Sequence, residues 1–252
     1  MRAIVTAAAS GIGKQIVGRL VERGDQVFAS DIDGDALNMF STEFSLAGYQ
    51  RADVSDEAAT DRMMDRAIET LGGVDLLINT AGIAGPTGAI EDLSLADWRA
   101  CLAVSLDGSF LCSRRVAPLM KAQGSGLIVN FSSTAGMFGY PNRSPYAVAK
   151  WGVLGLTKSL AMELGPSGVR VNAICPGAVS GDRMDAVIAN EAELSGRSAA
   201  DIEEMYARST SLRTFVSADD IANMVLFLAS PAGAKISGQA LPIDGHTEFL
   251  TG

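Results

Sequence analysis

Short apolar stretches of strand length alternate with amphipathic stretches of helix length along nearly the whole chain. This alternation constrains the fold more than any other feature. Residues 2–6, Arg-Ala-Ile-Val-Thr, predict a short buried strand, and 14–23 have helical periodicity with Ile16, Val17 and Leu20 on one side. Gly24 ends that helix, and 26–30 read as a second strand stopping at Asp31. Further strands are predicted at 49–52, 74–78, 126–131, 169–174 and 240–243, and helices at 35–46, 56–71, 95–120, 146–164 and 219–228. The stretch 74–78 is nearly all apolar, as a central parallel strand requires. The pattern predicts an α/β fold, a doubly wound parallel sheet (Rossmann fold) with helices on both faces. No linker or repeat divides residues 1–252, a length that fits one domain with one well-buried core. Gly152 and Gly155 each weaken an isolated helix by about 1 kcal/mol relative to Ala, so close packing against another helix or subunit is expected there.

Charge and composition exclude several classes. The net charge of −9 disfavours general attraction to nucleic acid or an anionic membrane. Three cysteines, Cys101, Cys112 and Cys175, show neither metal-ligand spacing nor a disulfide framework, which fits a reducing cytoplasm. A single histidine, His246, excludes a multi-histidine metal site, and no metal is expected. No apolar run has membrane-spanning length, and the chain starts almost directly in a strand, so no processed leader is expected.

The loop between the first strand and helix, Thr6-Ala-Ala-Ala-Ser-Gly-Ile-Gly13, is built of small residues. A strand, such a loop and a helix present backbone N–H groups to a phosphate. Gly11 and Gly13 allow close approach of a pyrophosphate, although a plain strand-to-helix turn would use the same residues. Asp31 lies about 20 residues beyond, where a carboxylate takes hydrogen bonds from an adenosine ribose and repels a 2′-phosphate. Ser10 and Ile32, where a 2′-phosphate reader would need a cation, are uncharged, which argues for NAD over NADP. Asn79-Thr-Ala-Gly82 ends the fourth strand in small residues with room for a flat ring, and the loop 83–90 is expected at the carboxyl edge of the sheet. Tyr146 and Lys150 are four residues apart at a helix start, hence on one face. An ammonium beside a phenol stabilises the phenolate and suits it to proton transfer with a substrate oxygen. Taken alone, a pair at this spacing is common by chance and reads first as two solvated residues on a helix face.

Together these motifs resemble the short-chain dehydrogenase/reductase family, in its compact single-domain branch. The match runs from Ile4 to about Gly245. It covers the Thr6–Gly13 loop, Asp53-Val54, Asn79-Thr80-Ala81-Gly82, a serine, Tyr146-x-x-x-Lys150 and Pro176-Gly177. The serine falls thirteen residues before the tyrosine, which selects Ser133 over Ser132. The resemblance implies Tyr146 as general acid/base, Lys150 as the group that lowers its pKa and bonds the nicotinamide ribose, and Ser133 as the group that polarises the substrate carbonyl. It implies Gly11, Ile12 and Gly13 at the pyrophosphate, Asp31 at the adenosine ribose, and Ser10 and Ile32 as further cofactor-binding residues. Asp53 and Val54 would flank the adenine, with Asn79, Ala81 and Gly82 lining the cofactor cleft and Pro176, Gly177 and Val179 meeting the nicotinamide. It implies a substrate lid at 178–215 and a homotetramer or dimer, to which the tail 244–252 contributes.

Three departures stand out. Ala7 replaces the first loop glycine and serves if its φ is negative. Ser105 stands where the family has a catalytic asparagine, with one hydroxyl to hold a relay water. Gly181 stands where a cofactor-contacting threonine is frequent, with Ser180 as substitute. In the lid, Arg183, close to the Pro-Gly turn, is the candidate for gripping an anionic or polyhydroxylated substrate. The other lid charges, including Glu191, Glu193, Arg197 and Asp201, are expected to be solvated, and His246 to be structural. The expected activity is an NAD-dependent interconversion of a secondary alcohol and a ketone on a small-molecule substrate such as a sugar, polyol or hydroxy acid. A 3-oxoacyl thioester reductase, an epimerase or dehydratase using NAD transiently, and a catalytically weakened nucleotide-binding scaffold are the alternatives.

Overall fold

The structure, a computed structural model, describes residues 1–249. Seven strands form one sheet: β1 (Arg2–Val5), β2 (Gln26–Asp31), β3 (Gly48–Arg51), β4 (Leu76–Asn79), β5 (Gly126–Phe131), β6 (Val169–Pro176) and β7 (Ala240–Ile243). The spatial order is β3-β2-β1-β4-β5-β6-β7, and every pairing is parallel. The chain winds outward from β1 to β3, then crosses back to β4 beside β1. That reversal opens a crevice at the carboxyl ends of β1 and β4, the place where doubly wound sheets bind ligands.

Alternation along the strands separates two cores. Ala3 and Val5 of β1 pack with Ile16, Val17 and Leu20 of α1 (Gly11–Glu22), Leu37 and Phe40 of α2 (Gly34–Glu43), and Ile221 and Val225 of α9 (Ala218–Leu228). Ile4, between them in β1, points the other way. It joins Met63 and Met64 of α3 (Glu57–Leu71), Val116 and Met120 of α5 (Gly108–Gln123), and Leu164 of α6 (Ser144–Leu164). Each face is thus covered by helices that bury one apolar stripe.

Sequence and structure differ in informative places. The helix expected from Lys14 starts at Gly11, so its first turn lies inside the small-residue loop. The long helix expected over 95–120 is α4 (Leu95–Leu102) and α5, joined by a π-helical segment, Ala103–Asp107, that turns Ser105 fully inward. Residues 178–215 form α7 (Asp182–Ser195) and α8 (Ala199–Arg208), packed through Ile188, Ile202 and Tyr206. This stretch has a small core of its own, and Glu191, expected to be solvated, is buried within it. Gly152 packs where a Cβ would lie 2.7 Å from Leu106 of the π segment, whereas one at Gly155 would meet nothing within 4 Å. Among the described residues, no helix is long and apolar enough to cross a membrane, and no group of three or more His, Cys, Asp or Glu could hold a metal.

Candidate active site

The β1–α1 loop is held against the sheet by its own backbone. Thr6 N–H donates to Ile78 O at 3.1 Å and Ala8 N–H to Ser30 O at 3.0 Å. Helix α1 then begins without a side-chain cap, because the Ser10 hydroxyl takes no N–H, and its first turn carries no acid. Its N-terminal N–H groups therefore have no side-chain acceptor, and the helix dipole favours an anion there. Gly13 cannot be replaced, since a Cβ would stand 2.0 Å from Ala7 O. That same contact fixes the backbone of Ala7. Ala7 has φ +46°, not the negative φ that makes alanine harmless. The reversal that brings its carbonyl over Gly13 needs a left-handed residue, which costs an alanine about 1–2 kcal/mol.

Asp31 ends β2 with its carboxylate turned back to the loop. One oxygen accepts from Ala9 N–H at 3.0 Å and the other from Asp33 N–H at 3.1 Å. Each oxygen retains a lone pair for a ribose hydroxyl. Ile32 is exposed, and Arg51, which the sequence reading did not weigh, places its Nε on Ile32 O at 2.9 Å. Asp53 accepts from Ser55 N–H and Oγ, while Val54 packs so tightly that a Cβ on Gly108 would lie 2.8 Å from it.

The Asn79 amide faces inward rather than into the crevice. It donates to Asn130 Oδ1 at 2.9 Å, Ser113 Oγ at 3.2 Å and Ser109 O at 3.4 Å, and so pins β4 to β5 and α5. The crevice is bordered instead by the segment that follows, where Ala81 N–H donates to Thr6 Oγ1 and a Cβ on Gly82 would lie 3.1 Å from Lys150 Nζ. On the opposite wall Gly177 N–H donates to Ile243 O, and a Cβ there would stand 2.8 Å from Asp244. Val179 bridges to Val216. Gly181 starts α7 at φ +128°, a backbone no threonine would adopt readily.

Helix α6 carries Tyr146 and Lys150, and Lys150 is buried on it with Nζ donating to Phe131 O at 2.8 Å. Burial holds its ammonium below the ordinary lysine value, with Tyr146 working the other way. The ammonium lies 5.7 Å from the Tyr146 ring centre. Burial of the phenol opposes its ionisation, but Lys150, Arg183, the Ser133 hydroxyl and Arg143 together outweigh that. Tyr146 therefore sits below the ordinary tyrosine value. The two adjacent serines diverge: Ser132 is buried with its hydroxyl on Lys150 O at 2.8 Å, and Ser133 is the one beside the phenol. Ser105 accepts from Ile83 N–H at 3.3 Å, and its Oγ flanks Gly82 together with Lys150 Nζ. Arg183, on the first turn of α7, reaches across the crevice to Gly82 O at 3.3 Å. His246 is held away from this site by Ser211 Oγ, 2.6 Å from its Nδ1. The last residues of the tail, 250–252, lie outside the described residues.

The uncapped α1 terminus, the Gly13 cradle, the Asp31 carboxylate and the Lys150 ammonium fit a nicotinamide dinucleotide laid across the crevice. A family model described as Enoyl-(Acyl carrier protein) reductase matches residues 6–246. The chain is 36% identical to the (2S)-[(R)-hydroxy(phenyl)methyl]succinyl-CoA dehydrogenase subunit BbsD of Thauera aromatica, over 99% of this chain and 97% of that one. Among solved structures it is similar to NAD+-bound xylitol dehydrogenase (27% identity, TM-score 0.92, covering 96% of this chain and 97% of that one). It is similar also to an actinorhodin polyketide ketoreductase with NADPH (31% identity, TM-score 0.92, covering 96% and 95%). Both nicotinamide cofactors thus occur among its structural relatives. Fold, site and relatives agree: the chain belongs to the short-chain dehydrogenase/reductase family and is an oxidoreductase acting on CH–OH groups.

Proposed function

We propose that this protein is an NAD(H)-dependent dehydrogenase/reductase that interconverts a small polar secondary alcohol and its ketone, with Tyr146 as general acid/base. The observation that carries the reading is the phenol held below its ordinary pKa by Lys150, Arg183, Ser133 and Arg143 in spite of its burial. In alcohol oxidation the Tyr146 phenolate takes the hydroxyl proton; in the reverse direction the phenol returns it to the carbonyl oxygen. Ser133 donates to that oxygen and fixes its position beside the phenol. Lys150 keeps the phenolate stable and has donors left for the nicotinamide ribose. Ser105, beside Lys150 across Gly82, extends a polar path by which the proton leaves through water. When bound, the nicotinamide supplies or accepts the hydride.

Asp31 supports NAD over NADP, because a buried carboxylate at the ribose repels a 2′-phosphate. The segment 178–215 is the substrate lid, with Arg183 over the crevice to grip a charged or hydroxyl-rich substrate. A thioester-linked substrate is the second reading, favoured by the acyl-CoA named for the Thauera relative; rates with 3-oxoacyl-CoA against the free oxo acid separate the two. Exposed Phe110 on α5 and Trp151 and Val148 on α6 support a homodimer or tetramer through those helices. Three buried free thiols support a cytoplasmic setting. The test of the activity is reduction of NAD+ at 340 nm with secondary alcohols, and its loss in Tyr146→Phe.

A further inference from the structure

Among the described residues four charged residues are buried as a whole: Asp31, Lys150, Glu191 and Arg143. Asp31 and Lys150 have places in the site already described. Glu191 is satisfied within the lid, where it accepts from Tyr206 OH at 2.6 Å. Arg143 is different. It is 4% exposed at the start of α6, and among the described residues it forms no ion pair. Its side chain makes one hydrogen bond, from Nη2 to Ala84 O at 3.0 Å, and its Nε is buried with no acceptor.

Burying an unpaired guanidinium is costly, and an N–H without an acceptor adds to that cost. Two aromatic rings offset part of it. The guanidinium carbon lies 5.3 Å from the Tyr140 ring centre and 5.4 Å from that of Tyr146. Glu191 is one wall further out, since Tyr206 OH lies 2.7 Å from Tyr140 OH and stands between them. The cation therefore lies against the acid/base phenol, and the protein's own carboxylate is held off by two phenols.

We propose that Arg143 is the anchor for an anionic group, a carboxylate first of all, carried by the substrate a few bonds from its reacting carbon. A planar guanidinium with unmatched donors suits a planar carboxylate. Its contact with the Tyr146 ring sets the span: the anion and the carbinol must sit within one short molecule. Arg183 closes over the same crevice from the lid, so the anion is met by cations from two sides. The inference rests on the reading of Tyr146 as the acid/base, and it narrows the substrate from polar alcohols in general to hydroxy acids.

The test compares charged and neutral partners of equal shape. NAD+ reduction is measured with lactate, 3-hydroxybutyrate and 4-hydroxycyclohexanecarboxylate, each beside its carboxamide. The same acids are tested as competitive inhibitors of whichever alcohol is oxidised fastest. NADH binding is measured in parallel by fluorescence. At least one acid is expected to exceed its amide by about 10- to 100-fold in kcat/KM or inhibitory affinity. Arg143→Gln is expected to abolish that ratio while still binding NADH, and Arg143→Lys to keep part of it. If NADH binds and alcohols are oxidised but no acid is favoured over its amide, the anchor is wrong and the oxidoreductase reading stands. The anchor is equally wrong if Arg143→Gln weakens acids and amides alike. If NADH does not bind and nothing is oxidised, the oxidoreductase reading falls and the anchor with it.

Discussion

Replacing Ala7 by glycine is expected to stabilise the protein, against the usual effect of such a change. Ala7 is held at φ +46° because its carbonyl must pass over Gly13, where even a Cβ would be 2.0 Å away. A left-handed alanine costs about 1–2 kcal/mol, and glycine removes that cost. Glycine also raises the entropy of the unfolded chain, which subtracts about 0.4–1 kcal/mol. The net gain is about 0.5–1 kcal/mol, equivalent to a rise in Tm of roughly 1–4 °C for a chain of this size. Ala9, two residues on, has no positive φ and serves as the control; Ala9→Gly is expected to lose about 0.5–1 kcal/mol. Thermal and urea unfolding of both variants reads the difference. A destabilised Ala7→Gly, or equal losses in the two variants, would refute the strain argument and the loop geometry behind it. NADH titration of the same variant shows whether the methyl group also hinders the pyrophosphate.

The remaining predictions concern the site. Because the Tyr146 phenol is held below its ordinary value, alcohol oxidation is expected to rise with pH through that lowered pKa, and ketone reduction to fall through it. Arg183→Ala removes one of the cations responsible, so both limbs move to higher pH, and KM for a charged substrate rises; an unmoved profile and KM would show that Arg183 acts on neither. Asp31→Ser removes the carboxylate and leaves Arg51, on Ile32 O, beside the proposed ribose site, so fluorescence titration is expected to show NADPH gaining at least tenfold on NADH. Ser105→Asn is expected to keep or raise kcat, and a large loss would give the serine, packed in its π-helical turn, a role of its own.

Much of this was legible because it is local. Strand and helix periods, the turn glycines and the Tyr146/Lys150 spacing belong to short windows, and β5 and β7 fall at 126–131 and 240–243 as the apolar runs indicate. The π segment was not legible, since a helix with one widened turn keeps nearly the same apolar spacing on either side of it. Nor was the positive φ of Ala7, which is imposed by Gly13 six residues away. Asn79 reads as a cleft residue in sequence, but its partners Ser109, Ser113 and Asn130 are brought to it by the β4–β5–α5 packing. Arg143 carries no motif. Its meaning comes from the Tyr140 and Tyr146 rings beside its guanidinium and from the lack of an acid partner among the described residues, neither of which a linear pattern encodes. Glu191 is the converse, an acid on a polar helix that becomes buried only when α8 delivers Tyr206.

The most direct test of the central claim is the initial rate of NAD+ reduction with a panel of secondary alcohols, hydroxy acids included, for the native protein and for Tyr146→Phe. Turnover of at least one alcohol, a loss of about 100-fold or more in the variant, and retained NADH binding are expected. Equal rates in the two proteins, or no reduction by a native protein that binds NADH, would contradict it.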